Sequence, residues 1–322
     1  MRAGQGCVDR AAAADLLEKA VESQEPMAAH RRVHPILRAS LRALLILAVL
    51  AALALGAMLG WLKWHENELV FATAISRARA YGALPAGAET LSIPTDAGAT
   101  LAAVRFGADP ARDAGYWILH LHGNADSAFS AVQLAHCQRL TRLGVSVLCF
   151  DYRGYGRSAG EATEGHLLED AESAYQWLLR AGVPADHIVL WGHSLGSGPA
   201  VYLASRHPAA ALVLFGAFTS IADAAADTYP WLPVRWLVGV RFESRQRMAA
   251  VHVPVIIAHT RTDALIRFHH ALDLYAAAHE PRRLLVLTDR TEDGFGGHVE
   301  ALYDQLDLLQ PVLEPFLKRA PN

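Results

Sequence analysis

Gly192-His193-Ser194-Leu195-Gly196 is the stretch that most constrains what this chain can fold into, because it follows directly on the apolar run His187-Ile188-Val189-Leu190-Trp191. An apolar strand that enters Gly-x-Ser-x-Gly and leaves into a helix-compatible stretch, here Ser197-Gly198-Pro199-Ala200-Val201-Tyr202-Leu203-Ala204, describes a nucleophile elbow. The turn is so tight that side chains two residues before and two after the serine would strike neighbouring backbone, so glycine is required at both places. The turn holds a serine hydroxyl out at a strand's C-terminal end, beside the N–H groups that open the next helix. The five residues alone match by chance in many chains; the strand before and the helix after give them meaning.

From about Glu89 onward, strand-like and helix-like segments alternate, which predicts an α/β fold: a mostly parallel sheet with helices on both faces. Leu91-Ser92-Ile93 and residues 101–106 flank the turn Asp96-Ala97-Gly98 and read as an opening hairpin. Central strands are expected at 117–121 and 145–150, with a helix over 128–143 between them. Thr163 is placed to cap a helix whose apolar positions Leu167, Leu168, Ala171, Ala174, Tyr175, Leu178 and Leu179 form one stripe, and Gly182 to end it. Three further strands are expected at 211–215, 255–258 and 284–287. A last helical stripe, Leu302, Leu306, Leu309, Leu313 and Phe316, is interrupted by Pro311 and Pro315.

The chain has 322 residues and a net charge of -3, room for one large domain plus accessory segments and no basic surplus of the kind nucleic acid demands. Its cysteines are Cys7, Cys137 and Cys149; no disulfide framework or zinc-type pair can be read from them, and Cys149 lies in an apolar run that suits a buried free thiol. Residues 43–62 form an unbroken uncharged run, rich in Leu and Ala, long enough to cross a bilayer as a helix. Arg31, Arg32, Arg38 and Arg42 precede it, whereas Lys63, Glu66 and Glu68 follow, so a cytoplasmic N-terminus is expected, with the rest of the chain outside or in a periplasm. Trp61 and Trp64 at the exit suit an interfacial belt. A signal peptide starting at Met27 and cleaved near Ala57, or a buried core helix, are the rival readings. Residues 63–88 read as a linker, and 1–42 as a tail with a short helix-compatible stretch over 11–22.

A serine hydroxyl is a weak nucleophile until a base takes its proton, so the elbow calls for a histidine and an acid downstream, the acid first. His298 is the candidate base: it follows Gly294-Phe295-Gly296-Gly297 after the last strand, in a loop able to swing over Ser194. His259, His269, His270 and His279 stand at a strand end or on the next helix, and their spacing shows no convergence on a metal. Asp263, just past the strand that ends near His259, is the candidate acid; Asp289 and Asp293 are the reserves. The oxyanion needs two preorganised N–H donors: the backbone of Leu195 offers one and the loop His122-Gly123-Asn124-Ala125 the other, assigned to Asn124 with Gly123 or Ala125 as alternatives. In Asp151-Tyr152-Arg153-Gly154-Tyr155-Gly156-Arg157-Ser158, Asp151 and Arg153 are expected to brace that loop and the elbow rather than to react.

Together, His122-Gly123-Asn124, residues 151–158, Gly192 to Gly196, Asp263 and Gly297-His298 resemble the α/β-hydrolase superfamily, and within it the single-pass membrane serine hydrolases related to protein depalmitoylases. The resemblance spans roughly Glu89 to Lys318, within an expected hydrolase domain of residues 89–319, and includes Phe218-Thr219-Ser220 and Tyr229-Pro230-Trp231-Leu232-Pro233. It implies a serine acyl hydrolase with Ser194, Asp263 and His298 as nucleophile, acid and base, a short cap, no cofactor, and an ester or thioester substrate of small-molecule, lipid-like or acylated-protein type. Such relatives usually carry His-Gly ahead of the acid and Pro shortly after; here Thr260 and Arg267 stand there. The same machinery on this fold can cleave peptides, and a fold of this kind can also serve as a non-catalytic membrane scaffold. Trp231, Leu232, Trp236, Leu237 and Val238 are placed to face a membrane, an acyl chain or the sheet.

Overall fold

The computed structural model describes residue 19, residues 35–288, residues 297–298, residues 311–313 and residue 315. Asp289, Asp293, the glycine run ahead of Gly297, most of the last helical stripe and the stretch 11–22 lie outside the described residues. The chain divides into two compact units, Met1–Met58 and Leu59–Asn322.

Helix α1, Pro35–Trp64, holds 30 residues, about 45 Å at 1.5 Å per residue. It takes in the whole uncharged run, with Arg38, Arg42 and Lys63 towards its ends, and is long and apolar enough to cross a membrane. Its side chains, Leu45 and Leu53 among them, are exposed along its length, and a core helix would bury them. Two short helices follow, α2 (Glu66–Val70) and α3 (Thr73–Ala78).

Eight strands make one sheet: β1 (Ala88–Pro94), β2 (Thr100–Phe106), β3 (Trp117–Leu121), β4 (Ser146–Phe150), β5 (Ile188–His193), β6 (Ala211–Phe215), β7 (Val255–Thr260) and β8 (Arg282–Leu287), in the order β1-β2-β4-β3-β5-β6-β7-β8. The β1–β2 hairpin pairs antiparallel and joins β4 antiparallel, and every pair from β4 to β8 is parallel. Parallel strands need crossovers, and the helices supply them. They are α4 (Ala131–Leu140), α5 (Glu164–Arg180), α6 (Ser197–Ala204), the short cap helices α7 (Ile221–Thr228), α8 (Val234–Leu237) and α9 (Ser244–Met248), and α10 (His269–Ala277). Strands buried on both faces read as continuous apolar runs, and alternation sorts their side chains. Leu119, Leu121, Leu190, Leu212 and Ile257 face the side covered by α5 and α6, while Ile118, Val147, Trp191, Val213 and Ile256 pack with Leu134 and Leu140 of α4 on the other.

Local signals set several boundaries. The Thr163 hydroxyl accepts from the His166 N–H and starts α5, and Gly182, at φ 87°, follows its end. The predicted helix over 128–143 begins instead at Ala131, because the Ser130 hydroxyl accepts from the Gln133 N–H and the residues before it form the loop leading out of β3. Cys137 and Cys149 are buried free thiols with their sulfurs 3.0 Å apart.

Candidate active site

The C-terminal ends of β3, β5, β6 and β7 converge, and the chemistry-bearing residues lie there. At the end of β5 the backbone turns through Ser194 at φ 49°, a left-handed conformation uncommon for a residue with a side chain. A Cβ on Gly192 would sit 2.7 Å from the Gly196 carbonyl oxygen, and one on Gly196 would sit 2.1 Å from the Leu121 carbonyl oxygen. Neither position has room for a methyl group, because α6 must pass against β3 and β5 at that point. The Ser194 hydroxyl is thereby held up where the turn Ser194–Gly196 opens into the following helix.

His298 Nε2 lies 2.9 Å from Ser194 Oγ, and His298 Nδ1 lies 2.6 Å from Asp263 Oδ2. All three residues are buried. A ring whose Nδ1–H donates to a carboxylate presents its Nε2 lone pair to the hydroxyl, the tautomer a general base requires. The loop after β7 builds the acid's seat: Asp263 Oδ1 accepts from the N–H groups of Leu265 (2.9 Å) and Ile266 (2.8 Å). Burial pushes the Asp263 carboxyl up, but His259 and His298, which hydrogen-bond and attract it, outweigh burial and hold it well below the usual carboxylate range. It therefore stays ionised beside the imidazole.

His259, a strand-end histidine by sequence, belongs to this network. Its Nε2 donates to the Ile266 carbonyl at 2.8 Å and lies 3.1 Å from Asp263 Oδ2, closing the acid loop from beneath. The signal was present in His259-Thr260, at the place where relatives carry His-Gly ahead of the acid. His193, inside the elbow, is buried, and its Nε2 donates to the His298 carbonyl at 3.2 Å. Burial, then the neighbouring His298, pull the His193 ring down to about 4, so it is neutral at ordinary pH and acts as a strut.

The Asn124 side chain is held at every polar atom. Its Nδ2 donates to the Val70 carbonyl (2.7 Å), and its Oδ1 accepts from the Ala72 N–H (2.8 Å) and the Tyr155 hydroxyl (2.7 Å). Ala125 follows at φ 58°, so the peptide between them is turned away from strand geometry. Asn124 can therefore offer the site only its backbone N–H, and the residues just past α1 fix the loop that carries it. Asp151 braces the same loop, accepting from the Ala128 N–H (2.7 Å) and the Ser127 hydroxyl (3.1 Å). Arg153, expected to do likewise, turns away: its guanidinium donates to Asp170 (2.6 Å) and Glu169 (2.7 Å) on α5.

Two of the remaining histidines meet a carboxylate of the cap. His269 and His270, neighbours at the start of α10, both meet Asp227 Oδ2, at 2.5 and 3.2 Å. These three side chains could hold a metal ion by distance alone. The Thr219 N–H, however, donates to His270 Nδ1, and burial, first, pulls the His270 ring down to about 4, so a neutral ring faces the carboxylate with its Nε2 proton, a packing contact. It joins α7 to α10.

Residues 116–295 match the family model described as alpha/beta hydrolase fold. An uncharacterized protein of Mycobacterium tuberculosis is 36% identical over 252 residues, 76% of this chain and 86% of that protein. Lysophosphatidylserine lipase ABHD12 of Danio rerio is 33% identical over 186 residues, 52% of this chain and 48% of the lipase, so the chain spans about half that relative's length. Among solved structures, the Pyrococcus furiosus esterase Pf2001 superposes with a TM-score of 0.60 at 20% identity, covering 76% of this chain and 98% of that one, a likeness in fold.

Proposed function

The chain belongs to the α/β-hydrolase fold family, and from that premise we propose that it is a membrane-attached serine acyl hydrolase that cleaves carboxylic esters or thioesters through an acyl-enzyme. The single observation that carries this reading is the continuous relay from Asp263 through both nitrogens of His298 to the Ser194 hydroxyl. Ser194 Oγ attacks the acyl carbon while His298 Nε2 takes its proton, and Asp263 stabilises the imidazolium. The carbonyl oxygen becomes an anion facing the N–H groups of Leu195 and Asn124. Collapse breaks the bond to the leaving alcohol or thiol, which departs with the proton from His298. A water then gives a proton to His298 and attacks the acyl-enzyme, releasing the acid and restoring Ser194.

Two features narrow the substrate. Helix α1 is a candidate membrane anchor, and one relative is named for hydrolysis of a single-chain phospholipid. We assign the protein a lipid-like acyl substrate, with acylated protein as the competing class, and the topology that the flanking arginines imply, N-terminus cytoplasmic and hydrolase domain outside. Turnover by the purified full chain across lysophospholipids, monoacylglycerols, short esters and an S-acylated peptide tests the assignment. Hydrolysis of single-chain lipid esters above the others, abolished in Ser194→Ala, is the expected result; turnover that survives Ser194→Ala, or none on any acyl ester, contradicts it.

A further inference from the structure

The cap and the residues where α1 ends share a property that the chemistry does not use, which is exposed tryptophan. Trp236 in the cap is 90% exposed and Trp231 76%, while Trp64 and Trp61 at the end of α1 are 87% and 55% exposed. Leu69, just beyond, is also exposed. A water-facing surface has no use for so many large rings, whereas the headgroup level of a bilayer accommodates a ring that is apolar on its faces and polar at one edge.

The segments that carry these residues are tied together by a direct contact. The Glu66 carboxylate, two residues past the end of α1, accepts from the backbone N–H groups of Gly239 and Val240 in the cap and pairs with Lys63. Trp236 stands three residues before Gly239, and Trp64 two before Glu66. The exit of α1 is therefore joined to the cap on one side. On its other side it is joined to the loop of Asn124, through Val70, Ala72 and the Arg79 guanidinium on the Ala125 carbonyl. The segment that leaves α1 is thus fastened both to the cap, at Gly239 and Val240, and to the loop of Asn124. Arg235, between the two cap tryptophans, is paired with Asp223 at 3.1 Å, so the tryptophan rings rather than a free cation characterise this face.

We propose that Trp231 and Trp236 of the cap and Trp61 and Trp64 of α1 form one membrane-seating surface, inserted at the headgroup level of the bilayer that α1 crosses. The seating fixes the rim of the site against the lipid. A single-chain amphiphile can then pass from the outer leaflet to Ser194 without its acyl chain crossing bulk water. The route for substrate rests on the hydrolase reading; the seating itself does not.

The test uses the full chain carrying Cys7→Ser, in vesicles of phosphatidylcholine and phosphatidylglycerol; the other thiols, Cys137 and Cys149, are buried. Nitroxide labels are placed through Trp231→Cys, Trp236→Cys and, as a control at the opposite, N-terminal edge of the parallel strands, Ala181→Cys. Collision with dissolved oxygen relative to a water-soluble nickel chelate should be several-fold higher at 231 and 236 than at 181. Equal ratios at all three positions would overturn the proposal. The conservative pair Trp231→Phe and Trp236→Phe guards against misfolding: it should lower the fraction of tryptophan emission quenched by brominated phosphatidylcholine, and an unchanged fraction counts against the seating. Neither readout depends on turnover, so an inactive protein with the expected ratios would refute the hydrolase reading and leave the seating in place.

Discussion

Ser194 and Asp263 meet at the same imidazole, yet their supports are built by opposite means. The elbow is a steric device: Gly192 and Gly196 leave no room for a Cβ, and the positive φ of Ser194 is imposed by backbone crowding between β3, β5 and α6. The acid loop is an electrostatic device. Two N–H groups, His259 and His298 converge on one buried carboxylate and keep it charged against the cost of its burial. A steric device should fail as a folding defect, and an electrostatic one as a loss of rate in a chain that still folds.

The largest effect should come from breaking the acid. Asp263→Asn keeps shape but turns an amide N–H towards His298, so turnover should drop by about four orders of magnitude, while the melting temperature moves far less than after a core truncation. A collapse in stability with little change in rate per folded molecule would dissolve the contrast. Next comes Gly196→Ala, whose methyl group would lie 2.1 Å from the Leu121 oxygen. It should cost about 3 kcal/mol or more, read as a lower urea midpoint, and a wild-type midpoint would show that the elbow is not sterically set. His259→Phe removes the lower donor to the acid loop without removing the acid. About a tenfold fall in kcat is expected, with KM nearly constant and the acidic limb of the pH–rate profile moved upward; an unchanged profile would reduce His259 to packing.

Acidification separates the two halves most gently. Burial, first, and neighbouring charges lower His136 to about 3 and His193 to about 4, and push His120 well below its ordinary 6.5 as well. The unfolded chain therefore binds more protons than the native one below pH 6.5, and stability should fall as pH is lowered from 6.5 towards 4. Asp170, raised to about 6 by burial, works the other way over part of that window, which moderates the loss. Asp263, held low, keeps its charge throughout. Urea midpoints at pH 7 and pH 5 should show the lower value at pH 5, and the reverse order would contradict this account of the buried histidines.

The same contrast explains what could be read from the chain before its fold. The elbow was legible because five consecutive residues encode its sterics, and the strand and helix around it carry strong periodic signals. Ser194, Asp263 and His298 could be named in order because each follows a strand of the parallel sheet, and the structure brings the three together. The supports were much less legible. Asn124 is held by Val70 and Ala72 from a segment read as a linker, Arg153 is drawn to Asp170, and His269 and His270 meet Asp227 across the cap. Each of these contacts joins residues far apart in sequence, and geometry between distant segments leaves no local pattern. His259 lies between the two cases, close to Asp263 in sequence but recognisable only once the loop is closed by its bond to Ile266.

The central claim is that Ser194 is a nucleophile activated by His298. Its most direct test is reaction of the folded full chain with a fluorophosphonate, followed by mass mapping of the adduct. The account predicts one adduct, on the peptide bearing Ser194, absent from Ser194→Ala and formed at a small fraction of the wild-type rate in His298→Ala. A folded wild-type chain that stays unmodified, or an adduct on another serine, would contradict it.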